Sequence, residues 1–155
     1  MTNFRQTRFL LTALALTLFG AAHARFFVGV PISSGLSEDG ANSYLGATLG
    51  TYDLGSGFGL RGGLEFKPVV SALYVQAGAD LLYSTGESTV LYVGAGGGYS
   101  RAGADDSLYV AGTAGIDLDA ASFISFFAEA QPRYNLTSES GKLYLRAGLN
   151  FHFGN

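Results

Sequence analysis

Alternation of apolar and polar residues at a period of two constrains this chain more than any other feature, and it is clearest near the end. In Lys142–Phe153 every second residue is apolar: Leu143, Leu145, Ala147, Leu149, Phe151 and Phe153. Lys142, Tyr144, Arg146, Gly148, Asn150 and His152 fall between them. A period of two places the two sets on opposite faces of one β-strand. The stretch also has the length of a tilted strand crossing the hydrocarbon core of a bilayer, about 9–11 residues.

The same alternation recurs upstream in Arg25–Ile32, Asn42–Tyr52, Phe58–Lys67, Ala72–Tyr83, Thr89–Tyr99, Leu108–Leu118 and Phe123–Tyr134. Between them lie polar or glycine-rich connections: Ser33–Ala41, Asp53–Gly57, Pro68–Ser71, Ser84–Ser88, Ser100–Ser107, Asp119–Ser122 and Asn135–Gly141. Strands at regular spacing with short turns predict an antiparallel up-and-down meander of eight strands. The even number returns both termini to one side. In a membrane such a sheet has to close into a barrel, because lipid offers no partner for backbone groups at a free edge.

Residues 1–24 stand apart from this pattern. Arg5 and Arg8 precede the apolar run Phe9–Phe19, and Ala22-His23-Ala24 supplies small residues for cleavage. That order predicts a secretory signal peptide over 1–24 and a barrel domain over 25–155. Arg5 and Arg8 would leave with it, two of the nine Lys and Arg, while all twelve Asp and Glu remain, moving the net charge from −3 to −5. An acidic chain without a basic patch argues against a nucleic-acid partner. The chain has no cysteine, which rules out disulfides and thiolate metal sites.

Charge decides which face meets lipid. Arg61, Glu65, Lys67, Asp80, Asp117, Glu129, Arg133, Lys142 and Arg146 all share the polar parity of their strands. A lipid-facing Arg or Lys near the midplane costs about 2–4 kcal/mol, so the apolar parity must face outward. Phe26, Phe58, Tyr83, Phe151 and Phe153 then fall near the rim that carries the termini, and Phe66, Tyr99 and Tyr134 near the opposite rim. Two aromatic bands around an aliphatic zone form the girdle pattern of membrane barrels. A soluble barrel would present the Gly/Tyr/Thr face to water, a surface poor in charge for that role.

With its leader, alternating strands, polar interior parity and aromatic final strand LYLRAGLNFHF, the chain resembles the small outer-membrane barrels of the OmpA/OmpX/opacity type over its whole length after residue 24. Gly154 and Asn155 follow Phe153, where the resembled proteins usually end on the aromatic residue read by the barrel-assembly machinery. The resemblance implies a cell outer-membrane location, contact with outer-membrane lipid and insertion by that machinery.

Function has to be sought in the lumen, which eight strands leave just wide enough for side chains to fill. Arg61, Glu65, Lys67, Asp80, Glu129, Arg133 and Arg146 form a predicted polar network there, since charges in a dry lumen need partners. Counting from the last connection sets Arg146 opposite Gln131 and diagonal to Glu129. A structural, envelope-stabilising role with a plugged lumen follows. A surface-adhesion module and a narrow ion or small-solute channel are the alternatives, and an envelope lipid-modifying enzyme comes last. Asp117, Ser125 and His152 fall at a similar level on three consecutive strands, but they point inward, away from lipid, and no catalytic residue is assigned. Gly57–Gly62 matches G-x-G-x-x-G yet opens a strand, with no helix N-terminus to hold a phosphate. No cofactor or metal site is expected, because His23 leaves with the leader and one histidine remains. Glu38, Asp39, Asp105, Asp106 and Glu139 make the outer connections acidic, a surface for an envelope partner or an ordinary solvated rim.

Overall fold

The computed structural model describes residues 25–37, 40–67 and 74–154. Eight strands follow one another: β1 (Phe26–Ser37), β2 (Gly40–Gly55), β3 (Phe58–Lys67), β4 (Tyr74–Thr85), β5 (Thr89–Ala102), β6 (Asp105–Ala121), β7 (Ile124–Asn135) and β8 (Ser140–Phe153). Each pairs antiparallel with its sequence neighbours, and β1 pairs with β8, so the sheet closes. The closing ladder runs from Phe26↔Phe153 to Leu36↔Leu143. Closure leaves no free sheet edge.

Two connections expected from the sequence are largely strand. Of Ser33–Ala41, the described residues Ser33–Ser37, Gly40 and Ala41 continue the β1–β2 ladder from Ser33↔Tyr44 to Ser37↔Gly40. Ser100–Ser107 likewise pairs through Ala102↔Asp105, leaving only Gly103 and Ala104 to turn the chain. Polar residues were no bar to strand here, because beyond the apolar belt the hairpins extend into a polar zone. The first outward-facing charges, Arg101 and Asp106, stand directly opposite one another two residues past Tyr99. The predicted start of the fourth strand at Ala72, and the Pro68–Ser71 connection, lie outside the described residues, as does the leader over 1–24.

The terminus-side turns are tight. Ser56 and Gly57 close the β2–β3 hairpin with φ of 58° and 79°, the two left-handed residues that a two-residue hairpin favours. At the opposite end Asn135 Oδ1 accepts hydrogen bonds from the backbone N–H of Thr137 (2.8 Å) and Ser138 (2.9 Å), shaping the β7–β8 turn.

The faces sort as the alternation requires. Ile32, Leu49, Leu64, Leu81, Leu91, Leu108, Phe126 and Leu145 are exposed on the outer surface. Arg61, Glu65, Gln76, Glu129 and Arg146 are buried inside. A surface apolar over so large an area has lipid as its natural solvent. On it Phe58 packs edge-on against Tyr83, with ring centroids 5.3 Å apart, at the terminus-side rim. Phe153 is exposed and Phe26 and Phe151 half-buried at that rim, while Phe66, Tyr99 and Tyr134 are exposed toward the other. The exposed Phe123, in the β6–β7 turn, adds to the terminus-side band.

Glycines on the inner parity make room for large side chains lying across the lumen. A Cβ on Gly115 would stand 2.5 Å from the Tyr92 ring and 2.7 Å from Glu129 Cβ. One on Gly78 or Gly98 would stand 2.5 Å from the Tyr109 hydroxyl. The lumen is thus filled by a few long residues over glycine floors.

Candidate functional site: a charged lumen between two vestibules

Six of the seven charges expected in the lumen meet at its centre. Arg61 bridges the barrel: Nη2 lies 2.7 Å from Asp80 Oδ2 on neighbouring β4, and Nη1 lies 2.6 Å from Glu129 Oε2 on β7. Glu65 makes the same crossing with the signs reversed. Its Oε2 is 3.2 Å from Arg133 Nη2 on β7, and its Oε1 is 2.7 Å from Arg146 Nε on β8. Arg146 also holds Glu129, closing the network. In a ring of eight strands β3 and β7 are opposite walls, so these ion pairs span the full width of the lumen.

Three arginines face three carboxylates, and the network is neutral. Its members are 0–11% exposed at the side chain. Buried charges need further hydrogen bonds, and neutral residues supply them. The Tyr92 hydroxyl donates to Glu129 Oε2 at 2.7 Å, and Ser33 Oγ donates to Glu65 Oε1 at 2.8 Å. Arg133 donates Nη1 to Gln76 Oε1 (2.6 Å) and Nε to Gln131 Oε1 (2.7 Å). The Arg133 guanidinium lies 4.0 Å from the Tyr144 ring centroid and 5.0 Å from that of Tyr109, a cation between two π faces. Within the network a cavity of about 20 Å³ remains. That is room for a single water.

Lys67 is the exception. It is half-buried nearer the far mouth and donates to Asn42 Oδ1 instead of joining the arginines. The expected partner of Arg146 also changes: Glu129 stands directly opposite it, and Gln131 stands opposite Tyr144. The ladder continues to Asn135↔Ser140, which leaves a shorter turn and shifts the pairing by two residues from the expected one.

Toward the termini a second, apolar layer lies below the charges. Phe27, Tyr52, Leu82 and Tyr92 are buried together with Val90 against them. Phe27 and Tyr52 stack at 4.7 Å between centroids, and Tyr52 and Tyr92 lie at 5.1 Å. Sequence reasoning assigned no role to this layer. Its signal was there, in Phe27 and Leu82, large apolar residues on the polar parity of their strands.

The Asp117, Ser125 and His152 set comes together only in part. Ser125 Oγ is 2.7 Å from His152 Nε2. Asp117, however, accepts from Asn150 Nδ2 at 2.6 Å, and its other oxygen has no partner, so no acid orients the histidine. Ser125 is wholly buried, with no path for an ester to reach its oxygen. Among the described residues no group of three His, Cys, Asp or Glu is placed to hold a metal ion. Of the acidic outer residues, Asp106 lies 3.7 Å from Arg101 across an exposed pair, and Glu38 and Asp39 lie outside the described residues.

Two vestibules flank the filled zone. The one away from the termini, about 220 Å³, is lined by Tyr74, Tyr109, Tyr144, Arg133, Lys142 and a ring of serines. The one at the terminus end measures about 330 Å³.

The fold is that of the small eight-stranded outer-membrane barrels. The structure is similar to the N-terminal β-barrel domain of Pseudomonas aeruginosa OprF, with a TM-score of 0.65, 18% identity and coverage of 82% of this chain and 97% of that one. It is also similar to Neisserial surface protein A, with a TM-score of 0.58, 15% identity and coverage of 84% and 97%. A third likeness is to Ail, the attachment invasion locus protein of Yersinia pestis, solved with the heparin analogue sucrose octasulfate, at 0.52, 15% and coverage of 84% and 98%. No protein-family profile and no curated protein matches the sequence.

Proposed function

We propose that this protein is an integral outer-membrane barrel whose role is structural, stabilising the envelope, with a lumen closed to solutes. The observation that carries this reading is the pair of crossings, Arg61–Glu129 at 2.6 Å and Glu65–Arg133 at 3.2 Å, that tie opposite walls together. A solute passing along the axis would have to separate charges buried across the lumen, and breaking a buried pair costs about 3–5 kcal/mol. It would then meet the dry Phe27–Tyr52–Leu82–Tyr92 layer. The outer belt, its aromatic rims and the likeness to outer-membrane barrels support residence in that membrane, with lipid against the apolar face and insertion by the barrel-assembly machinery. The role is non-enzymatic, in keeping with a buried serine and a histidine that no acid orients.

Planar-bilayer recording of the purified protein tests the closed lumen. The expected trace shows no steady conductance steps above the bare bilayer. Large, steady steps would refute a plug and leave a channel as the reading. Fractionation tests the location, with recovery expected in detergent-extracted outer membrane and not in the soluble periplasm.

A further inference from the structure

The vestibule away from the termini has a lining that a plug does not need. Among the described residues, the apolar side chains on its wall are Ala102 and three tyrosines, Tyr74, Tyr109 and Tyr144. Tyr44 packs beside them, its ring centroid 5.2 Å from that of Tyr74 and 5.9 Å from that of Tyr144. Four of the nine tyrosines of the chain thus gather at this end of the lumen, whereas the layer at the other end also holds Phe27 and Leu82. Tyrosine can keep an aromatic face beside water, because its hydroxyl finds a polar partner there. Tyr74 and Tyr109 are only half-buried, and both line the chamber.

Around the rings runs a set of neutral hydroxyls. Ser100 Oγ and Ser107 Oγ lie 2.7 Å apart, Asn135 Nδ2 donates to Ser107 Oγ at 3.0 Å, and Ser138 Oγ and Ser140 Oγ lie 2.7 Å apart. Two hydroxyls that share one hydrogen bond keep a second hydrogen to donate and lone pairs to accept with. Charge favours neither sign. Arg133 is paired with Glu65, and the other charged residues lining the chamber are Lys142 and Asp105, one of each. The floor is held in place, because Arg133 lies between the Tyr109 and Tyr144 rings and is fixed by Glu65, Gln76 and Gln131.

We propose that this vestibule binds one pyranose ring of a neutral sugar, stacked on a tyrosine. A pyranose has a face of C–H groups, which an aromatic ring covers, and an edge of hydroxyls that both donate and accept. The tyrosines and serines of the lining complement the two parts, and the balanced charge favours a neutral ligand over an ion. Serines alone would satisfy the water of an empty mouth, whereas aromatic faces left to water lose the burial that a ligand restores. The chamber of about 220 Å³ is smaller than the usual ligand pocket, which starts near about 300 Å³, so a single ring is the occupant that fits. Tyrosine also suits the role because ordering so rigid a side chain costs little entropy. A preformed floor lowers the cost of binding further. The site lies above the plug and is independent of whether the lumen conducts.

The test uses the full barrel, with its leader removed, in dodecylphosphocholine micelles, whose headgroup carries no sugar. Titration with methyl β-glucopyranoside or methyl β-galactopyranoside is expected to shift the amide resonances of Ser107, Tyr109 and Ser140 saturably. Those of Ser84 and His152, at the other vestibule, are expected to stay still. Sorbitol, which has the hydroxyls without the ring face, is expected to bind much more weakly. Tyr74→Ser, outside the charge network, is expected to weaken binding about fivefold, and Tyr74→Phe, which keeps the ring, by less than about twofold. Should Tyr74→Ser fail to fold, Ser107→Ala is expected to weaken binding about threefold through the loss of one hydroxyl. No saturable shift with either glycoside, equal shifts at the two vestibules, equal binding of sorbitol, or unchanged affinity in the folded Tyr74→Ser or Ser107→Ala variant would each overturn the proposal. Binding in micelles does not depend on which membrane holds the barrel, so this outcome is separate from those of the conductance and fractionation tests.

Discussion

At the scale of single residues, Glu129 is the most consequential position in the lumen. It accepts from Arg61, Arg146 and Tyr92 together, so neutralising it leaves three buried arginines against only two carboxylates, Glu65 and Asp80. Glu129→Gln is expected to lower stability by about 3–5 kcal/mol, read from the midpoint of urea unfolding in micelles or vesicles. Lys67→Gln should change it by less than about 1 kcal/mol, since Lys67 is half-buried and lies outside the arginine network. Ser56 offers the opposite test. It holds a φ of 58°, a conformation that costs most residues about 1–2 kcal/mol and that asparagine adopts more readily. Ser56→Asn is expected to raise the unfolding midpoint modestly, and a lowered midpoint would show that the serine is needed there.

At the scale of elements, one strand carries two chemistries a residue apart. On β7 Ala128 faces outward, paired with Ala147 and Ile116, while Glu129 faces Arg146 inside. Ala128→Arg is expected to cost about 2–4 kcal/mol if that face meets lipid near the midplane. The same charge on the solvated β7–β8 turn, at Thr137, should be close to neutral. Equal effects at the two positions, measured by refolding into vesicles, would argue that the belt does not face lipid. The alternation that sorts these faces was legible through the apolar belt, and it is broken only toward the terminus-side turns, where the register shifts between Thr51 and Gly55 and between Asp119 and Ala121. The ends of strands were not legible. Serines, aspartates and glycines in Ser33–Ala41 and Ser100–Ser107 have the composition of turns, yet they pair because the neighbouring strand stays in register beside them.

At the scale of the molecule, closure makes the barrel cooperative. The β1–β8 ladder joins the two ends of the chain, and through it every strand has two neighbours. Removing residues 140–155 would leave β1 and β7 as bare edges and take Arg146 out of the charge network. This truncation is expected to abolish the folded barrel, not to weaken it, with loss of the β-sheet circular-dichroism signal in micelles. A seven-stranded product with native-like spectrum and urea resistance would show that closure is dispensable. The filled lumen belongs to this scale too, since its ion pairs join residues 68 and 81 positions apart in Arg61–Glu129 and Glu65–Arg146.

The alternation of the amino-acid sequence determined by itself how many strands there are, which face of each is apolar and which charges enter the lumen. Side-chain direction in a strand is local, and a period of two records it directly. Which charges meet was decided by the tertiary structure. Sliding two strands by two residues leaves every side chain on its own face while changing every partner. Alternation is blind to that shift, so it could not separate Arg146 opposite Gln131 from Arg146 opposite Glu129. The β7–β8 turn, shaped by Asn135, and the closing ladder made that choice. The apolar layer and the buried Ser125–His152 and Asn150–Asp117 contacts likewise exist only where strands distant in sequence come together around one axis.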